Sequence, residues 1–246
     1  MKMLAKGSLG ALLLTVAMSV AAFPVDVTSV TGTFENAMKS NGSAAAGSGT
    51  NMISWGDGYE PSWPWEAPKP GPRSSYKFTG VSPLPIQIDD NSIFSLGTLT
   101  HTNQQVEGAT LTSTDLAITL GFSGFGDTGT SEGKFIFSHT ETPDVGSRPE
   151  CIWFFGWHCW DNKDAPVGDV ISQTDASMTS DSFTLGGFEY SLELLGLSAD
   201  ASTPENTYRD YKLWAKLNAT AVPEPGTLAL LGLGLAGLGM ARRRKA

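Results

Sequence analysis

Cysteine, histidine and positive charge are all scarce in this chain: 246 residues hold two cysteines, three histidines and 16 Lys and Arg against 25 Asp and Glu. The single cysteine pair, Cys151 and Cys159, is spaced C-x7-C and lacks the second pair that a zinc knuckle needs. The His-Glu-x-x-His helix, the Gly-x-Ser-x-Gly elbow and a phosphate-cradling glycine loop are all missing, which removes the usual signatures of zinc peptidases, α/β-hydrolases and P-loop enzymes. Gly121-Phe122-Ser123-Gly124 stops short of the elbow by its second glycine. The many acids offer pairs for glycoside hydrolysis, but no spacing selects one, so a secreted hydrolase ranks last among the readings and no enzyme is expected.

Long apolar runs are confined to the two ends. Lys2 and Lys6 precede the run from Leu9 to Val20, and Ala21-Ala22 follow. This is the layout of a signal peptide over residues 1–22, with a signal helix too short to span a ~30 Å hydrocarbon core as a lasting anchor. At the other end, residues 221–246 read as Val222-Pro223-Glu224-Pro225, an uncharged stretch over 226–241, and a basic cluster of Arg242, Arg243, Arg244 and Lys245. Such a run ahead of a cluster that stays inside predicts a transmembrane helix over 226–241, with everything before it outside. Sixteen residues of helix cover only ~24 Å, and glycines weaken them further, so a temporary tether is expected. Pro223 and Pro225 hold the preceding backbone extended and open to a protease.

The order Pro223-Glu224-Pro225, short apolar helix, arginine cluster resembles the sorting signal of PEP-CTERM proteins. The resemblance implies processing by an exosortase in a Gram-negative bacterium that makes exopolysaccharide. The protein would then cross the inner membrane, be held briefly by its C-terminal helix, and end at the cell surface or in the extracellular matrix.

Between the ends lies a domain over residues 23–220. Two lysines of the leader and four basic residues of the tail leave ten of the 16 cations, and Glu224 alone leaves 24 of the 25 acids, so the domain carries a formal charge near −14. That charge repels nucleic acid and anionic lipid and suits an exported soluble surface. Export to an oxidising compartment predicts a Cys151–Cys159 disulfide, a local staple worth about 2.5 kcal/mol in the chain-entropy model.

The domain alternates with period two between Gly- and Ser-rich turns, which predicts an all-β fold of about nine strands. Leu116, Ile118, Leu120 and Phe122 share one face; Phe135, Phe137 and His139 share another; so do Phe188 to Leu194 and Tyr211 to Leu217. Weaker strands are expected over 29–34, 52–55, 74–79, 93–100 and 182–185. A two-sheet β-sandwich, jelly-roll or Ig-like, is the economical architecture. Two aromatic insertions interrupt it. Gly58 to Pro72 holds five prolines with Trp63 and Trp65, and Thr142 to Pro166 holds the cysteines with Trp153, Trp157 and Trp160. Both are expected to be surface loops, and their tryptophans are candidate stacking platforms for sugar rings, the mark of a carbohydrate-binding module. The competing expectation packs them over the core.

The motifs Gly49-Thr50-Asn51 with Ile53, Trp55-Gly56, Tyr76-Phe78-Gly80, Phe94-Leu96-Gly97 and Thr100-His101-Thr102-Asn103, then Phe135-Phe137-His139 with Glu141-Thr142-Pro143 before the cysteines, resemble in their order the THxN family of PEP-CTERM proteins, related to choice-of-anchor surface domains. The resemblance implies a location and a β fold, and gives Thr100, His101 and Asn103 as motif positions without a role. His101 is expected to cap the turn after its strand, and His139 to bond to backbone. A transition-metal site would need both to converge with Glu141 or Asp89, which no spacing among the histidines supports. No metal or cofactor is therefore expected; Asp89-Asp90-Asn91 offers hard oxygens that fit calcium but lacks an ordered calcium loop. The sum is an exported, exosortase-processed, non-enzymatic surface or matrix protein of an exopolysaccharide biofilm.

Overall fold

The structure, a computed structural model, describes residues 21–60, 69–142, 150–153, 157–160, 168–177, 182–197, 201–222, 232–235 and 237, with side chains left aside at 59–60, 150–160 and 175–177. Among these residues the chain is nearly all strand. In order come β1 (Val25–Lys39), β2 (Met52–Trp55), β3 (Asp57–Glu60), β4 (Lys69–Pro70), β5 (Ser74–Gly80), β6 (Ile86–Ile88), β7 (Ile93–Asn103), β8 (Val106–Glu107) and β9 (Leu111–Gly124). Then follow β10 (Asp127–Thr140), β11 (Glu150–Trp153), β12 (Trp157–Trp160), β13 (Asp169–Ser177), β14 (Phe183–Leu185), β15 (Phe188–Leu195), β16 (Ala201–Thr203) and β17 (Thr207–Ala221).

Twelve of these strands form two six-stranded antiparallel sheets, ordered β16-β13-β10-β9-β1-β6 and β14-β15-β17-β7-β5-β2. The expected strands over 52–55, 74–79, 93–100, 182–185, 188–195 and 211–217 all fall in the second sheet. The first sheet is built on the long β9–β10 hairpin, turned by Phe125-Gly126, both in the left-handed region (φ 57° and 82°), as a two-residue hairpin turn requires. Phe34, Leu116, Ile118 and Phe135 from the first sheet join Phe78, Leu99, Leu192 and Leu213 from the second in one buried core, each such side chain contributing about 1.5–3 kcal/mol. The sheets meet closely: a Cβ at Gly32 of β1 would lie 2.4 Å from the Phe78 ring of β5.

The structure enlarges the expected nine strands. β1 reaches from residue 25 to 39 because its buried positions, Val25 and Val27, then Val30 and Phe34, then Ala37, change parity at two bulges, between Val27 and Ser29 and between Glu35 and Met38. A strict period-two reading sees only the middle piece. The proline-rich insertion is not wholly a loop: β3 and β4 pair at its base, Tyr59 opposite Pro70, and β3 also pairs with β8. The second insertion carries the hairpin β11–β12.

The tail lies almost wholly outside the described residues, the sorting positions Pro223, Glu224, Pro225, Arg242, Arg243 and Arg244 included, and so do the signal segment up to residue 20 and Trp63 and Trp65. Residues 232–235 and 237 are helical. Among the described residues no helix is long and apolar enough to cross a membrane, so the expected transmembrane helix over 226–241 is without support here.

Candidate functional site

At one end of the sandwich, where β7, β10, β13 and β16 reach their termini, polar side chains replace the apolar core. The first cause is local. In β7 the inward positions are Phe94 and Leu96, then Leu99, His101 and Asn103, so the parity changes between them. The change comes from a bulge opposite Leu213 and Trp214 of β17, where Gly97 takes φ 150°. A Cβ there would lie 2.3 Å from the Thr79 carbonyl oxygen, so only glycine fits. Without the bulge, His101 and Asn103 would face outward.

Strand pairing brings the remaining groups. Tyr76 of β5 lies opposite His101 in the second sheet, and Asp169 of β13 lies opposite Thr203 of β16 in the first. His139 of β10 faces the second sheet from the first, and Glu141 follows two residues on. His101, Asn103, Asp169 and Thr203 are each 0% exposed. Trp55 stacks on His101 at 5.9 Å between ring centroids, and the His101 and His139 rings meet edge-on at 5.5 Å.

Each ring has one nitrogen engaged by a hydroxyl. His101 Nδ1 is 2.8 Å from Thr203 Oγ1, which is itself 2.9 Å from Tyr211 Oη. His139 Nδ1 is 2.6 Å from Tyr76 Oη. The second nitrogen of His139, Nε2, lies 3.2 Å from Glu141 Oε2 and 3.6 Å from Asp169 Oδ2. Trp55 Nε1 donates to the same Glu141 oxygen at 3.3 Å, and Thr142 N donates to Asp169 Oδ1 at 3.0 Å. Asn103 Nδ2 donates to the Thr203 carbonyl at 2.9 Å and to Glu205 Oε1 at 3.0 Å. Among the described residues, His101 Nε2, Asn103 Oδ1, Glu141 Oε1 and Asp169 Oδ2 are buried without a hydrogen-bond partner.

The electrostatics follow from burial and these contacts. Burial, with the neighbouring His139, pushes His101 down to about 2, so its ring is neutral. Burial also works against charge on His139, but its bonds to Asp169 and Glu141 and their negative charge outweigh it and hold the ring above its ordinary value. Burial, then the charges of Asp169, Tyr211 and Glu141, raise the Tyr76 phenol well above its usual range. Two sets of ligand atoms lie within 4.8 Å of one another: His101, His139 and Asp169, and Glu141, Asp169 and Glu205.

These contacts correct two expectations. His101 caps no turn; β7 continues to Asn103 and buries it. His139 bonds to side chains of Tyr76 and Glu141, not to backbone. Glu141 does join the histidines, whereas Asp89 does not: with Asp90 it is exposed at the corner before β7, where Asp90 Oδ1 accepts from Ser92 N at 2.8 Å. Thr100 faces the other side of β7 and donates to Asp210 at 2.6 Å. Asp169, Thr203, Glu205 and Tyr76 were not legible as site residues. The available signal was the repeated spacing His101-x-Asn103 and His139-x-Glu141, polar pairs continuing the inward row of a strand. In the β11–β12 hairpin the backbone sets Cys151 opposite Cys159, Trp153 opposite Trp157, and Trp160 opposite Glu150.

Residues 221–245 match the family described as the PEP-CTERM protein-sorting motif. That motif marks an exported surface protein targeted to an exosortase. No curated protein is similar enough to the chain to match it.

Proposed function

We propose that the chain is a non-enzymatic component of the extracellular polysaccharide matrix, a β-sandwich carried to the cell surface by its exosortase signal and cut near Pro223-Glu224-Pro225. The observation that carries this reading is the sorting motif over residues 221–245 behind an all-β domain. Two features support it. The domain is strongly acidic, and the side chains best suited to chemistry, His101, His139 and Asp169, are buried among strands instead of lining an open cleft. The order of Thr100-His101-Thr102-Asn103 with the motifs around it fits a THxN-type, choice-of-anchor-like domain. The apolar run over 226–241 serves as the membrane tether until the cut.

The test is to express the chain with and without residues 222–246 in an exosortase-bearing host and fractionate the cells. The intact chain should reach the surface or matrix with a shortened C-terminus by mass spectrometry, and the truncated chain should not be retained there. Recovery of the intact chain in the cytoplasm, or identical distribution of both chains, would sink the proposal.

A second reading, a carbohydrate-binding module, is favoured by one observation: Trp153 and Trp157 are direct cross-strand partners in the β11–β12 hairpin. Alternation gives them one parity and Trp160 the other, so a stacking platform there would use the Trp153–Trp157 pair. Tryptophan fluorescence titrated with a panel of bacterial polysaccharides decides it: quenching lost in Trp157→Ala supports the module, and no response to any glycan rejects it.

A further inference from the structure

We propose that His101, His139 and Asp169, completed by Glu141 with Glu205 adjoining, bind one divalent transition-metal ion that ties the two sheets together at this end of the sandwich. His101 comes from β7 of one sheet, and His139 and Asp169 from β10 and β13 of the other. A shared ion would therefore cross-link elements that otherwise meet through side-chain packing and single hydrogen bonds such as Tyr76–His139 and Asn103–Thr203.

The spacing suits a metal. Two bonds of about 2.0–2.1 Å at a tetrahedral angle hold their donor atoms about 3.3 Å apart. His139 Nε2 stands 3.2 Å from Glu141 Oε2 and 3.6 Å from Asp169 Oδ2, and the ligand atoms of His101, His139 and Asp169 lie within 4.8 Å of one another. A hydrogen bond from His139 would explain the first distance alone. It would leave His101 Nε2 buried and unpartnered, at a cost of about 1–3 kcal/mol, and Asp169 Oδ2 buried with no hydrogen bond and only the long 3.6 Å contact to His139. One cation satisfies both.

The surrounding bonds are those that aim ligands at a metal. When His101 Nδ1–H donates to Thr203 Oγ1, and that hydroxyl donates to Tyr211 Oη, the lone pair of Nε2 is free for the ion. Tyr76 plays the same part for His139. Asp169 Oδ1 is taken by Thr142 N, which leaves Oδ2. Charge points the same way: Glu141 and Asp169 bring two carboxylates to the His139 ring, and buried carboxylates need a counter-charge. Two imidazoles with carboxylates suit zinc and its neighbours and not calcium or magnesium, which prefer oxygen alone. Complete burial of His101 and Asp169 makes the site structural.

The full chain, stripped with a chelator, is titrated with Zn2+, and in parallel with Co2+, Ca2+ and Mg2+. One equivalent of Zn2+ is expected by elemental analysis, with visible ligand-field bands from Co2+ and a rise in melting temperature that Ca2+ and Mg2+ do not reproduce. His101→Gln and Asp169→Asn should abolish uptake, and His158→Ala should leave it intact. Thr203→Val keeps the shape and removes the hydroxyl that holds His101, and should weaken Zn2+ binding about 10–100-fold. If the ligand variants fail to fold, Thr203→Val and the wild-type titration decide. Folded wild-type chain that takes up no Zn2+, or uptake unchanged in His101→Gln and Asp169→Asn, overturns the inference. None of these readouts depends on sorting, so a metal-free chain that still reaches the surface defeats this inference alone.

Discussion

His101 and His139 belong to different sheets, yet their rings meet edge-to-face with centroids 5.5 Å apart, each with one nitrogen held by a hydroxyl from the opposite sheet. Tyr76 joins this cross-sheet cluster, its ring 5.6 Å from that of His139, and the nearest consequences concern what holds the histidines there.

Gly97 sets the parity that turns His101 inward. Gly97→Ala should destabilise the domain by about 1–3 kcal/mol from backbone strain alone, and by more if Thr79 cannot retreat. It should also impair Zn2+ uptake, because the relief of the clash shifts β7. Chemical denaturation with a parallel zinc titration checks this; an alanine chain as stable as wild type would show that the bulge is not required.

Tyr76→Phe leaves the ring packing intact and removes the hydroxyl bonded to His139 Nδ1. An expected loss of about 1–3 kcal/mol follows from leaving that nitrogen buried without a partner. Urea unfolding of the variant measures it. A change near zero would mean that His139 finds another partner.

The metal-free chain should be most stable near pH 6.5. His101 is held down to about 2 when folded and returns to about 6.5 when unfolded, so acidification below that value favours the unfolded chain by up to about 1.4 kcal/mol per pH unit. His139 has the opposite sign. Its raised folded value, set against burial by Asp169 and Glu141, gives a contribution fully present below the unfolded value and lost as pH rises through the folded one. Melting temperatures of chelated protein across pH 5 to 9 should trace a maximum; a monotonic rise through this range would contradict the assignment of His139.

Cys151 and Cys159 are cross-strand partners in the β11–β12 hairpin, where antiparallel Cα atoms lie about 4.5–5.5 Å apart, within disulfide reach. The exported protein should be resistant to thiol alkylation until reduced. Cys151→Ser should cost about 2.5 kcal/mol. Alkylation of both thiols in the unreduced secreted protein would show that no bridge forms.

Much of the fold is legible in the residues themselves, because alternation survives wherever a strand is regular. Leu116 to Phe122, Phe188 to Leu194 and Tyr211 to Leu217 each announce a buried face, and their strands appear as expected. Alternation fails at bulges: β1 changes parity twice and β7 once, so the former looked short and the latter looked finished before His101. The edge strands β6 and β16 are three residues each and too short to carry a pattern.

The sorting address is local chemistry, three residues followed by an apolar run and a basic cluster, and a linear sequence determines it completely. The period-two rows likewise determine that this is a β protein, since a side-chain row needs no partner to declare itself. The polar cluster is another matter. Asp169 lies 68 positions beyond His101 and Thr203 lies 102 beyond it, and only the pairing of β13 with β10 and β16, set against β7 across the core, makes them neighbours. Contacts of that range come from strand order and register, which depend on how two whole sheets bury their faces together, and that was decided by the tertiary structure.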